Sequence, residues 1–176
     1  MPTTLAEWLA ACGDQAAIAF TDVVGSTQLL FDRQTMEFEN LLEAHRAQVE
    51  VLTHEFGGRI IEITSDATFA AFPSVAPACR YVLSLHQDCG SPQLGVRCGV
   101  HIGAVQVRDG ILVGRNVYYA ARVRDHGSGA EVWLSEEARV AVTEEDPAFA
   151  AGLSFSHHEV CDLKGVPDPK TLWRIV

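Results

Sequence analysis

The stretch "AFTDVVGSTQLLF", Ala19 to Phe31, ends an apolar run on an aspartate and passes at once into a turn of small residues. Two readings of it compete. In one, Asp22 is a solvated strand end, and the small residues after it are a turn and helix start, which select these residue types anyway. In the other, backbone N–H groups at the helix start face a phosphate, and Asp22 holds the accompanying cation. What the rest of the chain places beside Asp22 decides between them.

Working outward, Ala16 to Asp22 reads as an apolar strand, preceded by a short amphipathic helix over Thr4 to Ala11. From Ser26 to Phe56 apolar residues recur at helical spacing, in one or two helices, until Gly57-Gly58 stops them. Arg59 to Ile63 and Thr68 to Phe72 read as strands joined by the tight turn "TSDA". Ala76 to Cys89 is a helix. Leu94 to Ile102 and Ala104 to Arg108 read as a further strand pair pivoting at Gly103 and turning at Asp109-Gly110. A helix over Asn116 to Asp125, a strand over Glu131 to Leu134 and a helix over Ser135 to Val142, capped by Ser135, follow. Two strands, Ser154 to Asp162 and Thr171 to Ile175, close the chain around "LKGVPDP". The order predicts an α+β fold: a ferredoxin-like βαββαβ core with additional C-terminal strands, its antiparallel-rich sheet covered by helices. Residues 1–15 form a lead-in and 16–176 a single domain.

Composition narrows the function classes. The 176 residues carry a formal net charge of −10, which excludes a general nucleic-acid or anionic-membrane binder, since both need a basic face. An acidic protein still binds a polyphosphate when metal ions carry the positive charge. With no bilayer-length apolar segment and no signal-peptide pattern in "MPTTLAEWLAACGDQ", the expected location is cytoplasmic. The five cysteines, Cys12, Cys79, Cys89, Cys98 and Cys161, are scattered and read as reduced. His157-His158 is a poor joint zinc ligand, because adjacent strand residues point to opposite faces.

Asp66 sits at the tip of the "TSDA" turn. Alone it is ordinary turn chemistry. In a βαββ core, however, the first strand and this hairpin are neighbours, and Asp22 and Asp66 form a carboxylate pair at one end of the sheet. Such a pair repels unless a proton or cation lies between, and hard oxygen ligands suit Mg²⁺ or Mn²⁺.

Taken in order, "FTDVVGST", "GGRIIEITSDATFAAFPS", "VRCGVHIGAVQVRDG", "GRNVYYAARV" and "DLKGVPDPKTLWRI" resemble the catalytic domain of class III nucleotidyl cyclases, from about Ala17 to Val176. The resemblance implies a homodimer with active sites at the interface, while charge and the lack of an apolar span leave no expected nucleic-acid or membrane partner. It implies that Asp22, Val23 and Asp66 hold two divalent ions, Mg²⁺ or Mn²⁺, and that amides around Val24, Gly25, Ser26 and Thr27 contact a nucleoside triphosphate. Arg122, in "AARV", matches the arginine that stabilises the transition-state phosphoryl charge from the partner protomer; taken alone it reads as a helix-surface arginine. Lys164, in "LKG", matches a lysine that reaches the phosphates.

Three positions depart from the family pattern. Glu62, four residues before Asp66, stands where adenylate cyclases carry an adenine-reading lysine. Ile111, three residues before Gly114, replaces a polar base-reader, and Tyr118, four before Arg122, replaces a ribose-orienting asparagine. A carboxylate only accepts hydrogen bonds, so Glu62 favours a base edge with donors: guanine, cytosine or uracil rather than adenine. The family also includes small stand-alone pyrimidine cyclases of bacterial anti-phage systems, and a short chain with a rewritten purine pocket is compatible with that group. The expectation is an active cyclase that prefers GTP or a pyrimidine triphosphate. The alternative is a catalytically degenerate domain that binds nucleotide or a partner as a regulator, which Tyr118 favours.

Overall fold

The computed structural model describes residues 4–32, 35–87 and 94–176. In chain order they form α1 (Leu5–Ala11), β1 (Gln15–Val23), α2 (Ser26–Asp32), α3 (Thr35–Glu55), β2 (Arg59–Ile63), β3 (Ala67–Phe72), α4 (Val75–Gln87) and β4 (Val96–Ala104). There follow β5 (Gln106–Arg108), β6 (Ile111–Val113), α5 (Arg115–His126), β7 (Val132–Ser135), α6 (Glu136–Glu145), α7 (Pro147–Gly152), β8 (Phe155–Cys161) and β9 (Lys170–Ile175). The expected helix end at Cys89, and that cysteine, lie outside the described residues.

The main sheet runs β2-β3-β1-β4-β7-β9-β8, so the first four strands take the order 2-3-1-4 of a βαββαβ core and the C-terminal strands extend it. β4 and β7 pair in parallel, and the other neighbours are antiparallel. This is the expected antiparallel-rich α+β architecture. β1 sits near the middle and is buried on both faces, which is why its sequence is an unbroken apolar run rather than an alternation. Ala17 and Ala19 face a core filled by Phe72, Tyr81, Leu85, Val100 and Leu134. Ala16 and Ile18 face a second cluster in which Leu9 of α1, Val105, Leu112 and Ala120 of α5 meet, with Phe20 and Ile61 packed against it. α1 is held by a capping box, Thr4 and Glu7 each satisfying the other's backbone N–H.

One expected pairing is corrected. β4 does not pivot at Gly103 to pair with the segment after it. It runs through Gly103, which pairs with Ala16 of β1, as far as Ala104. The Asp109-Gly110 turn joins β5 to β6 instead, in a separate two-stranded ribbon, with both turn residues at positive φ. Glycine is needed at 103 for another reason: a Cβ there would lie 2.3 Å from the Asn116 amide nitrogen. At Gly99 the approach is closer still, with a Cβ only 2.2 Å from the backbone nitrogen of Arg124, so α5 lies directly on the backbone of β4.

Candidate active site

Asp22 and Asp66 come to adjoining positions because β1 and β3 pair in register, Asp22 opposite Ala67, and the Val23 N–H donates to the Asp66 carbonyl at 2.9 Å. Their carboxylates hold different partners. Asp66 Oδ2 accepts from the hydroxyl of Ser26, the first residue of α2. Asp22 accepts a guanidinium fork from Arg97, Nε at 2.9 Å on Oδ1 and Nη2 at 2.6 Å on Oδ2. The cation beside Asp22 is thus supplied by the chain itself. Arg97 stands opposite Asp22 in the β1–β4 register, and the fork holds its guanidinium pKa above the usual arginine value.

Arg97 went unread in the sequence. Val96, Cys98 and Val100 alternate as buried residues, which puts Arg97 on the other face of β4, but pairing it with Asp22 requires the register between two strands far apart in the chain.

A line of alternating charges continues from Asp22. Arg124 Nε lies 3.9 Å from Asp22 Oδ2 and its Nη2 lies 2.6 Å from Asp125. Asp125 also accepts from Arg122 at 2.8 Å, and Arg122 Nε donates to the Lys164 carbonyl at 3.0 Å. Burial pushes the Asp125 carboxyl up, but the hydrogen bonds and charges of Arg124 and Arg122 prevail and hold it below the usual range. The structure therefore brings Arg122 and Lys164 together, Arg122 half-buried and Lys164 exposed. Beside them a groove of about 560 Å³ is lined by Tyr118, Tyr119, Asn116, Glu137, Gly165 and Lys170 among others.

The turn after Asp22 is partly committed. The Val24 N–H donates to the Gly95 carbonyl at 2.8 Å, tying the end of β1 to the segment before β4. Gly25 is at positive φ, and with Ser26 and Thr27 it opens α2, where the first amides have no intrahelical partner.

Of the departures from the family pattern, Glu62 is exposed near the end of edge strand β2, opposite Phe69. Ile111 is 50% exposed at the start of β6 and Tyr118 is 72% exposed on α5. Ile61 and Leu112, the chain neighbours of Glu62 and Ile111, belong to one apolar cluster. Asn116 is no substitute for the missing asparagine. Its amide nitrogen donates to the Ala104 carbonyl at 2.8 Å and its oxygen lies 3.2 Å from His101 Nε2.

His101, only 2% exposed, ties three elements together. The Asn116 amide nitrogen donates to Ala104, so its oxygen accepts from His101 Nε2–H, and Nδ1 of the neutral ring accepts the Ser135 hydroxyl at 2.8 Å while Ser135 Oγ accepts from the Ala138 N–H. The ring packs on Tyr119, and Glu137 Oε2 lies 3.9 Å from Nδ1. Burial depresses the His101 pKa against the opposing effects of Asn116 and Glu137. Burial, with the Arg46 charge, depresses His45 as well. In the unfolded chain both histidines take up protons near their ordinary value of about 6.5, whereas the folded protein does so only at lower pH. Stability is therefore complete above about pH 6.5 and falls as pH drops through that value toward the folded pKa. Unfolding midpoints measured from about pH 8 down to about pH 5 should show this decline, and a flatter one in His101→Gln.

Whether these residues fit divalent ions follows from the donor set. Among the described residues no three His, Cys, Asp or Glu side chains are placed to hold a metal ion. Two carboxylates alone still suit Mg²⁺, which is commonly held by one or two carboxylates with water and substrate phosphates completing the shell. The residues fit such an ion at Asp66, and at Asp22 only if the Arg97 guanidinium is displaced.

No protein-family model matches the chain. An uncharacterized protein of Mycobacterium tuberculosis is 31% identical over 127 residues, 72% of this chain and 43% of the relative, so the chain spans less than half the length of that curated relative. Among solved structures, the adenylyl cyclase CyaB of P. aeruginosa matches with TM-score 0.78 and 16% identity over 92% of this chain and 93% of the other. A Trypanosoma brucei adenylate cyclase matches with TM-score 0.82 and 19% identity over 93% and 88%. The guanylate cyclase domain of RhGC from Catenaria anguillulae, solved with GTP, matches with TM-score 0.74 and 13% identity over 93% and 96%. The chain has the fold of the class III adenylyl and guanylyl cyclase domains. Among the described residues no helix is long and apolar enough to cross a membrane.

Proposed function

We propose that the chain is a nucleotidyl cyclase, converting a nucleoside triphosphate to a 3′,5′-cyclic nucleotide and pyrophosphate. The observation that carries this reading is the placement of Asp22 and Asp66 at adjoining positions on a cyclase fold, with Arg122 and Lys164 gathered on another part of the same surface. Divalent ions held by Asp22, the Val23 carbonyl and Asp66 would lower the pKa of the attacking ribose hydroxyl and neutralise the phosphates. Gly25, Ser26 and Thr27 receive the triphosphate at the start of α2. Arg122 offers a planar fork to the phosphoryl oxygens in the transition state, and Lys164 supplies a second positive charge.

These groups are divided within one protomer. Asp66 lies in the β2–β3 turn and Lys164 in the β8–β9 loop, with β1, β4 and β7 between β3 and β9. β3 and β9 are thus four strand spacings apart in the sheet, and among the contacts described Arg122 meets Asp22 through the intervening Arg124 and Asp125 ion pairs. A two-fold homodimer, in which one protomer gives the carboxylates and the other Arg122 and Lys164, brings the halves together.

The base reading rests on Glu62 and Ile111. An acceptor at 62 and an apolar side chain at 111 favour a base that donates, so GTP or a pyrimidine triphosphate is expected to be turned over with at least about tenfold higher kcat/KM than ATP. Incubating the protein with Mn²⁺ and each of the four nucleoside triphosphates, and measuring pyrophosphate and cyclic product, tests both activity and base. A tenfold preference for ATP would mean that Glu62 only faces solvent. Absence of product from all four would favour the second reading, a degenerate domain acting as a regulator, for which the occupied Asp22 carboxylate and Tyr118 speak.

A further inference from the structure

We propose that Arg97 sets the divalent-cation affinity of Asp22, keeping that carboxylate closed to metal until the guanidinium swings away. This rests on the cyclase reading above and adds a loading step to it. Both Asp22 oxygens are taken by one fork, and Arg97 Nη1 is tied to the Gly127 carbonyl at 2.9 Å, so the guanidinium is anchored on both sides. Arg124 adds a second positive charge 3.9 Å from the same carboxylate. The pair is mostly shielded, with the Arg97 and Asp22 side chains 26% and 17% exposed, so water and salt screen it little. Asp66, by contrast, is hydrogen-bonded only by the hydroxyls of Ser26 and Ser65 among the contacts described, with the Arg46 guanidinium bound to the adjacent Ser65 carbonyl and not to the carboxylate. The two carboxylates of the site are therefore unequal. Asp66 is open to a metal ion, whereas a metal at Asp22 must displace one guanidinium and sit beside another.

The experiment is Mn²⁺ titration of the nucleotide-free protein, followed by the electron paramagnetic resonance signal of free Mn²⁺ and by the rise in unfolding midpoint on adding the ion. Wild type, Arg97→Met, Arg97→Lys and the double variant Arg97→Met with Asp22→Asn are compared. Arg97→Met, which keeps the length and loses the charge, should tighten Mn²⁺ binding by at least about tenfold and show the larger thermal shift. Arg97→Lys, which keeps the charge and loses the fork, should fall between, and it preserves the test if the Met variant does not fold. Adding Asp22→Asn should cancel the gain. Equal Mn²⁺ affinity in wild type and both Arg97 variants would overturn the proposal and leave the cyclase reading standing. No Mn²⁺ binding in any variant at millimolar ion, together with no product from any triphosphate, would overturn both.

Discussion

Replacing Asp66 with asparagine should lower kcat by at least about a thousandfold while leaving the fold intact. Losing a few kcal/mol of charge stabilisation at the reacting phosphate corresponds to a rate loss of this order. The variant is nearly isosteric, and its amide oxygen still accepts the Ser26 hydroxyl, so the local structure keeps its contact. Asp22 is a less clean target, because removing its carboxylate leaves Arg97 without the partner of its fork. Pyrophosphate release with Mn²⁺ present and the unfolding midpoint, measured on one preparation, separate chemistry from stability. Undiminished turnover in Asp66→Asn, or in wild type under excess chelator, would rule out metal-assisted chemistry at this carboxylate.

Mixing two inactive variants should restore activity. Asp66→Asn lacks the carboxylate half of the site, and Arg122→Ala lacks the arginine half. In a heterodimer one of the two interface sites keeps every group and the other loses both. Random pairing of equal amounts makes half of the dimers mixed, each with one intact site, so roughly a quarter of wild-type activity is expected. A sample shown to contain heterodimers but devoid of activity would place the whole site within one chain.

Much of this architecture was legible in the sequence because it follows from periodicity and turn chemistry. The double burial of β1 shows in its unbroken apolar run, and the β2–β3 hairpin in "TSDA". Short elements were not legible. β6 has three residues, too few for alternation to register, so the sequence pairs the β5 segment with β4 instead of with β6. Gly103 looked like a pivot, although its role is to make room for the Asn116 side chain. α7 carried a signal that went unread: Asp146 caps it and Pro147 opens it. In the site, Asp22 and Asp66 could be placed together from topology alone. The fork from Arg97, and the charges running through Arg124 and Asp125 to Arg122, depend on strand register and helix docking, which no local pattern encodes.

The contact at Gly99 has a consequence for control. With no side chain between them, the backbones of α5 and β4 touch, and packed interiors resist being compressed further. A helix seated this way has no cushion along which to slide. It carries Tyr118 and Arg122 as fixtures of the sheet, not as parts of a lever. In the dimer proposed above, a signal would then act by rotating whole protomers against each other or by moving the loops at their rim.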